Sequence, residues 1–230
     1  MRARKAHSLI GRVYDRRNLQ RAWERVRKNK GAGGVDGVSI ARFEENLERY
    51  LDVLHRLLKD GRYWPRPVKR VEIDKPGTTK KRPLGIPTVM DRVCQQALVQ
   101  VLLPIFEPTF REASFGYRQG RSAHKAMRRI WRQLGQAEWI VDADISDFFG
   151  SLSHELLVDL VADRVADGKV LSLIRSMLTA GVLVDGVFES AVAGVPQGGV
   201  ASPLLSNIYL TVFDQRMAEA GFAALLSVWG

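Results

Sequence analysis

The chain has 230 residues, 46% of them hydrophobic, enough for one large domain or two small ones with a real core. Its formal net charge is +10, and its single cysteine, Cys94, excludes an internal disulfide framework. No uninterrupted apolar run reaches membrane-spanning length, and the N-terminus lacks the apolar stretch of a secretory leader, so a cytoplasmic protein is expected. The charge is unevenly placed. Residues 1–130 carry +17 and residues 131–230 carry −7. A basic front and an acidic back suit a protein that grips a polyanion with one part and holds cations with the other.

In chain order, residues 6–30 read as a helix with Ile10, Val13, Leu19, Trp23 and Val26 on its apolar side and Arg16, Arg17, Arg21, Arg25, Arg27, Lys28 and Lys30 over much of the rest. Such a helix suits a nucleic-acid backbone; an ordinary solvated helix has the same pattern. Lys30-Gly-Ala-Gly-Gly-Val-Asp-Gly37 holds four glycines in eight residues, a loop of unusual backbone conformation. No Gly-Lys-Ser/Thr follows, so it is not a P-loop. Ser39 is placed to cap a helix to about Lys59, with Phe43, Leu47, Leu51, Leu54 and Leu58 on one face. Residues 62–88 alternate, turn at Lys75-Pro-Gly and alternate again, which predicts a hairpin with Lys75, Lys80, Lys81 and Arg82 near its tip or return strand. A basic hairpin suits a triphosphate or a template; it also suits an edge strand charged against aggregation.

Asp91 is read as the cap of a helix running towards Phe106, bent or ended by Pro104, with Cys94 as inert packing. Residues 110–124 mix aromatics, glycines and arginines, a composition that suits single-stranded nucleic acid. Ser122 then caps a helix to about Leu134. Trp139-Ile-Val-Asp-Ala-Asp-Ile-Ser-Asp-Phe-Phe149 reads as a buried strand leading into carboxylates, with Asp142 and Asp144 on one face. A carboxylate there needs neutralising, and a hard cation carrying phosphate does so. The pattern fits metal-dependent phosphoryl or nucleotidyl transfer and also fits a metal-dependent glycosyltransferase. A helix from Ser151 or Ser153 to Val165, another over 169–179, a hairpin turning at Asp185-Gly186, and a Gly-rich loop entering a helix at Ser202-Pro203 complete the chain. That last helix stops at Gly221.

Five of these stretches together resemble the reverse transcriptases encoded by group II introns, which often serve as maturases. They are Gly31–Gly37, Lys75–Pro87 with Asp91-Arg92, Ser114–His124, Val141–Phe149 and Gly194–Leu210, in that order. The resemblance implies an α+β fold, mostly helical with short antiparallel strands: the fingers and an incomplete palm of a right-hand polymerase. Fingers are expected over 1–137 and the first part of the palm over 138–230. It implies RNA-directed addition of dNTPs to a DNA primer by two Mg2+ ions, with a template or intron RNA as partner. Residue by residue, it makes Asp144 a catalytic metal ligand assisted by the carbonyl of Ile145. Lys75 and Arg82 contact the incoming triphosphate, Phe149 excludes a ribose 2′-hydroxyl, and Gln197 lines the nucleotide pocket. Lys30, Gly31, Gly33, Gly34, Arg118 and Arg121 face RNA. Two departures stand out. Gly150 replaces the usual Asp after the paired Phe, and no Asp follows Asp214 to supply the other two metal ligands. The expectation is therefore a truncated polymerase that does not polymerise alone, with an RNA-binding, maturase-like module as the alternative.

Overall fold

In the computed structural model, residues 5–74, 77, 79, 81–135 and 141–221 are described. The expected first helix is two. The helices α1 (Ile10–Tyr14) and α2 (Arg16–Asn29) are separated by Asp15, whose carboxylate accepts from the amides of Arg17 and Asn18 and so starts α2 afresh. The second predicted helix also divides. Ser39 caps α3 (Ile40–Glu45) as expected, and Asn46 breaks the path before α4 (Leu47–Lys59). Trp23, Phe43 and Tyr50 stack in series, with centroids 4.9 and 4.5 Å apart, and fasten α2 to α3 and α4.

The basic hairpin forms as β1 (Val68–Asp74) and β2 (Lys81–Ile86), antiparallel, with Arg70 opposite Gly85. Its partner comes from far along the chain. β3 (Val182–Val184) runs parallel to β1 and turns back as β4 (Val187–Glu189), through Asp185 and Gly186 at positive φ. The sheet order is β2-β1-β3-β4, so the sheet is mixed rather than wholly antiparallel, and β2 lies at one edge.

The central helix is α5 (Val89–Phe106). By length and composition it could cross a membrane, but 67% of that window is buried inside the protein. There it packs against α1, α2 and α4 and carries buried Asp91, Arg92, Gln95 and Gln96. Thr88, not Asp91, caps it: Thr88 Oγ1 accepts the Asp91 amide at 3.1 Å. Asp91 sits in the first turn and returns the contact, accepting from Thr88 Oγ1 at 2.6 Å. Pro104 does not end the helix; it lies near the C-terminus, and the chain continues as a 3-10 turn over Glu107–Thr109. Cys94 is buried, and burial pushes its thiol well above the usual range, which fits inert packing.

Beyond the 110–122 loop come α6 (Ala123–Leu134), capped by Ser122, and the short α7 (Phe148–Ser151). Then follow α8 (His154–Ala162), capped by Ser153, α9 (Gly168–Leu178), capped by Asp167, and α10 (Ser202–Glu219), with Gly221 at φ 83° as its stop. One buried apolar cluster takes residues from Leu9 to Phe110 and again from Phe149 to Ile208. The N-terminal segment reaches across this division. Ala6 exchanges backbone bonds of 2.7 and 2.8 Å with Arg164 and Ala166, and the Ile10 amide donates to Asp167 Oδ2 at 2.8 Å.

The expected strand into the Asp-rich motif is corrected in part. Trp139 and Ile140 lie outside the described residues. Residues 141–145 form no strand, and Val141 is 85% exposed. A strand persists only where neighbours take up its backbone groups, and the four strands among the described residues form one sheet that does not include this segment.

Candidate nucleotide-binding cleft

A cleft of about 690 Å³ runs along the β2 edge of the sheet. Its walls come from four parts of the fold. The sheet contributes Arg70, Lys81 and Arg82. The 143–150 segment contributes Asp144, Ile145, Asp147 and Phe149. The loop before α10 contributes Val195, Pro196 and Gln197, and α10 itself contributes Leu210. Of the residues expected at a nucleotide site, Arg82, Asp144, Ile145, Phe149 and Gln197 therefore share one cavity. Lys75 lies outside the described residues.

Local chemistry explains how these walls meet. The Gly85 amide donates to the Gln197 carbonyl at 2.7 Å, so the loop covers part of the β2 edge. That approach needs small residues: a Cβ at Gly198, which has φ 103°, would lie 2.8 Å from the Gly85 carbonyl oxygen. On the opposite wall, the Val195 amide donates to the Phe149 carbonyl at 2.8 Å and the Gly194 amide to the Leu152 carbonyl at 2.8 Å. His154 Nε2 meets the Gly194 carbonyl at 2.6 Å. Phe149 is thus held by its backbone, and its ring sits edge-on to Phe148 and Tyr117. Asp147 takes a left-handed conformation, φ 46°, and its carboxylate folds over Gly150, where a Cβ would fall 2.3 Å from Oδ2. The glycine at this departure from the family pattern makes room for that carboxylate.

Electrostatically the cleft has a cationic side, Arg70, Lys81 and Arg82, facing an anionic one, Asp144 and Asp147. Arg70 was legible only as one residue of the expected strand; nothing in the sequence distinguishes it from Lys69. Asp142, Asp144 and Asp147 are all exposed, not buried at a strand end. Among the described residues no three His, Cys, Asp or Glu side chains gather as a candidate metal cage.

The residues expected to face RNA lie elsewhere, and the structure gives most of them work inside the protein. Lys30 ends α2 with its side chain exposed, and its carbonyl accepts from Arg92 Nη1 at 3.1 Å. Arg92 Nη2 donates to the Ala32 carbonyl at 2.5 Å, so a buried guanidinium on α5 ties down the glycine loop around Gly31. A Cβ on Gly33 would meet the Val38 carbonyl oxygen at 2.8 Å, and one on Gly34 would meet the Thr88 amide at 2.6 Å. Close packing accounts for both glycines. Arg118 is occupied as well: it donates to Glu107 Oε1 at 3.0 and 2.8 Å and to the Arg111 and Ser114 carbonyls at 2.6 and 2.7 Å. It also lies over the Phe110 ring. Arg121 covers Phe115 and donates to the Glu112 carbonyl at 2.9 Å. These arginines build the 110–122 loop, which Asn207 Nδ2 fastens to α10 through the Gly116 carbonyl at 3.0 Å.

Comparison with known proteins gives a consistent picture. Residues 73–225 match the family described as reverse transcriptase (RNA-dependent DNA polymerase). The group II intron-encoded protein LtrA of Lactococcus lactis subsp. cremoris is 39% identical over 201 residues, 86% of this chain and 33% of LtrA. Protein YkfC of Escherichia coli K12 is 40% identical over 198 residues, 83% of this chain and 52% of YkfC. Nuclear intron maturase 4, mitochondrial, of Arabidopsis thaliana is 33% identical over 138 residues, 59% of this chain and 17% of the maturase. The chain thus spans about a third of LtrA and half of YkfC. Among solved structures, a chain of a partial Cas6-RT-Cas1–Cas2 complex superposes over 92% of this chain and 35% of its own length, with TM-score 0.63 at 22% identity, a likeness of fold.

Proposed function

Since the chain belongs to the reverse transcriptase family, we propose that the β2-edge cleft binds an incoming dNTP for RNA-directed DNA synthesis. The supporting observation is the convergence of Arg82, Asp144, Phe149 and Gln197, from three stretches of sequence, on one cavity. Arg70, Lys81 and Arg82 offer charge-assisted donors to a triphosphate. Phe149, fixed by the bond from Val195, forms a rigid wall for the sugar. Gln197 closes the side towards α10.

The family's two-ion chemistry does not fit the described residues. Among the described residues Asp144 and Asp147 are too few hard donors for two divalent ions, and no third carboxylate gathers with them. On this proposal the 230 residues by themselves bind a dNTP and do not extend a primer. Two measurements test this. Arg82→Ala should weaken binding of a base-labelled dUTP by about tenfold, the loss of one charge-assisted contact. Purified protein given RNA template, DNA primer, dNTPs and Mg2+ should give no extension. Templated extension that disappears in Asp144→Ala would overturn the second statement while leaving the cleft in place.

The +17 charge of residues 1–130 favours a second reading, a maturase-like RNA-binding module. RNA binding that survives Asp144→Ala separates it from a purely polymerase-type role.

A further inference from the structure

Three consecutive polar contacts leave the first two turns of α5 for three different parts of the chain. Asp91 accepts from the Tyr63 hydroxyl at 2.5 Å and the Arg66 amide at 3.3 Å, before β1. Arg92 holds the glycine loop through the Lys30 and Ala32 carbonyls. Gln95, itself 7% exposed, accepts the amides of Val200 and Ala201 at 2.7 and 3.3 Å on its Oε1. The third contact bears on the cleft. Ala201 begins α10 without a side-chain cap of its own, so the oxygen at this helix start comes from another helix.

The loop between Gln95 and the cleft is short and pinned at both ends. At one end Val200 and Ala201 are on Gln95. At the other the Gln197 carbonyl is on Gly85 of β2. A second clip, Ser202 Oγ donating to the Pro196 carbonyl at 2.8 Å, folds the loop on itself. A Cβ at Gly199 would lie 3.4 Å from Gln95 Oε1 and 2.6 Å from Ser202 Oγ, so the chain passes close over both. Only Gly198 and Gly199 separate Gln197 from the residues that Gln95 holds.

We propose that Gln95 is a positioning residue for the nucleotide cleft: its amide oxygen fixes the Pro196–Gly199 loop against β2 and so sets where Gln197 stands. This rests on the dNTP reading of the cleft. Gln95 touches no nucleotide; it acts through the loop. Without the acceptor, the buried Ala201 amide and the part-buried Val200 amide lose their partner and the loop is free to lift from the β2 edge. A carboxylate in the same place keeps the acceptor and adds a charge favourable at a helix N-terminus.

The experiment uses the full chain and measures the Kd of base-labelled dUTP, with Mg2+ present, by anisotropy for wild type, Gln95→Leu, Gln95→Glu and Arg82→Ala. Thermal melts run in parallel. Gln95→Leu should bind about tenfold more weakly and Gln95→Glu within about twofold of wild type. A merely structural glutamine predicts a lowered melting temperature with unchanged Kd in the folded protein, and that result overturns the proposal. So does a Gln95→Glu protein as weak as Gln95→Leu. If Gln95→Leu does not fold, Ser202→Ala, which releases Pro196 at the same loop, carries the test: weaker dUTP binding supports the proposal and wild-type binding overturns it. Wild type and Arg82→Ala binding equally poorly would instead remove the cleft reading, and the role of Gln95 with it.

Discussion

Asp214 on α10 is 4% exposed, and its Oδ1 has no hydrogen-bond partner among the described residues. Burial pushes its carboxyl up to about 6, while the charges of Arg111 and Arg118 pull it back down. Because this pKa is raised in the folded state, the native protein binds the extra proton. Stability should therefore be lost as pH rises from about 4 through about 6. Asp214→Asn removes that titration. The variant should be more stable than wild type at pH 7 by about 1–2 kcal/mol and lose the advantage near pH 4. Urea melts of both proteins across that range check it; an advantage that grows towards acid pH would refute the assignment. A second residue-scale test concerns Gly34. Adding a methyl group towards Thr88, where 2.6 Å is available, should cost about 1–3 kcal/mol by overpacking, read in the same melts. An RNA-binding role for Gly34 predicts instead unchanged stability and weakened RNA binding.

Capping decides most of the helical boundaries. Thr88→Val removes both the acceptor for the Asp91 amide and the donor to its carboxylate. It should cost about 1–2 kcal/mol in chemical denaturation, and no change would mean that the cap is redundant. Ser39, Ser122, Ser153 and the Asp185-Gly186 turn were legible because their rules are local: a short polar side chain bonds its own next turn, and glycine tolerates positive φ. The breaks at Asp15 and Asn46 are harder to see. Apolar periodicity continues across each, and only tertiary packing shows that the axis has changed. Asp91 looked like a cap because Asp often is one, yet Thr88 three residues earlier outcompetes it and uses the carboxylate as its partner. The strand expected to lead into the Asp-rich motif was a reading of apolar pattern, and over residues 141–145 pattern alone does not supply the neighbouring strand that a ladder needs.

At the scale of the molecule, the RNA-binding reading together with the charge separation predicts a steep salt dependence. Between about 50 and 200 mM salt, affinity for a structured RNA should fall by about a hundredfold or more, the signature of several released counterions. Arg21→Ala and Arg25→Ala, on the exposed side of α2, should lower that slope. A slope that stays flat from the outset would exclude a phosphate-dominated surface. The cleft was legible in the sequence as motifs whose order and spacing resemble one family, and Arg82, Phe149 and Gln197 do share its cavity. Gln95 was not legible, because its contact with Val200 spans 105 residues and a single buried glutamine carries no local signature. Arg118 and Arg121 were legible as loop arginines by composition, but their bonds to Glu107, Arg111, Ser114 and Glu112 were not, because composition records how many arginines a loop has and not what each one touches.

The three contacts made by Asp91, Arg92 and Gln95 also govern what this stretch of chain can tolerate over evolutionary time. Each is a single bond-forming side chain and can in principle be exchanged one at a time. Their directions, however, are set by one helical phase. Each residue added to or removed from a helix turns everything beyond it by about 100°, so an insertion between Arg92 and Gln95 would leave the glycine loop in place and swing the hold on Val200 and Ala201 away from the cleft. A library of variants should therefore show almost no change of length accepted within the first two turns of α5, where Asp91 to Gln96 are buried.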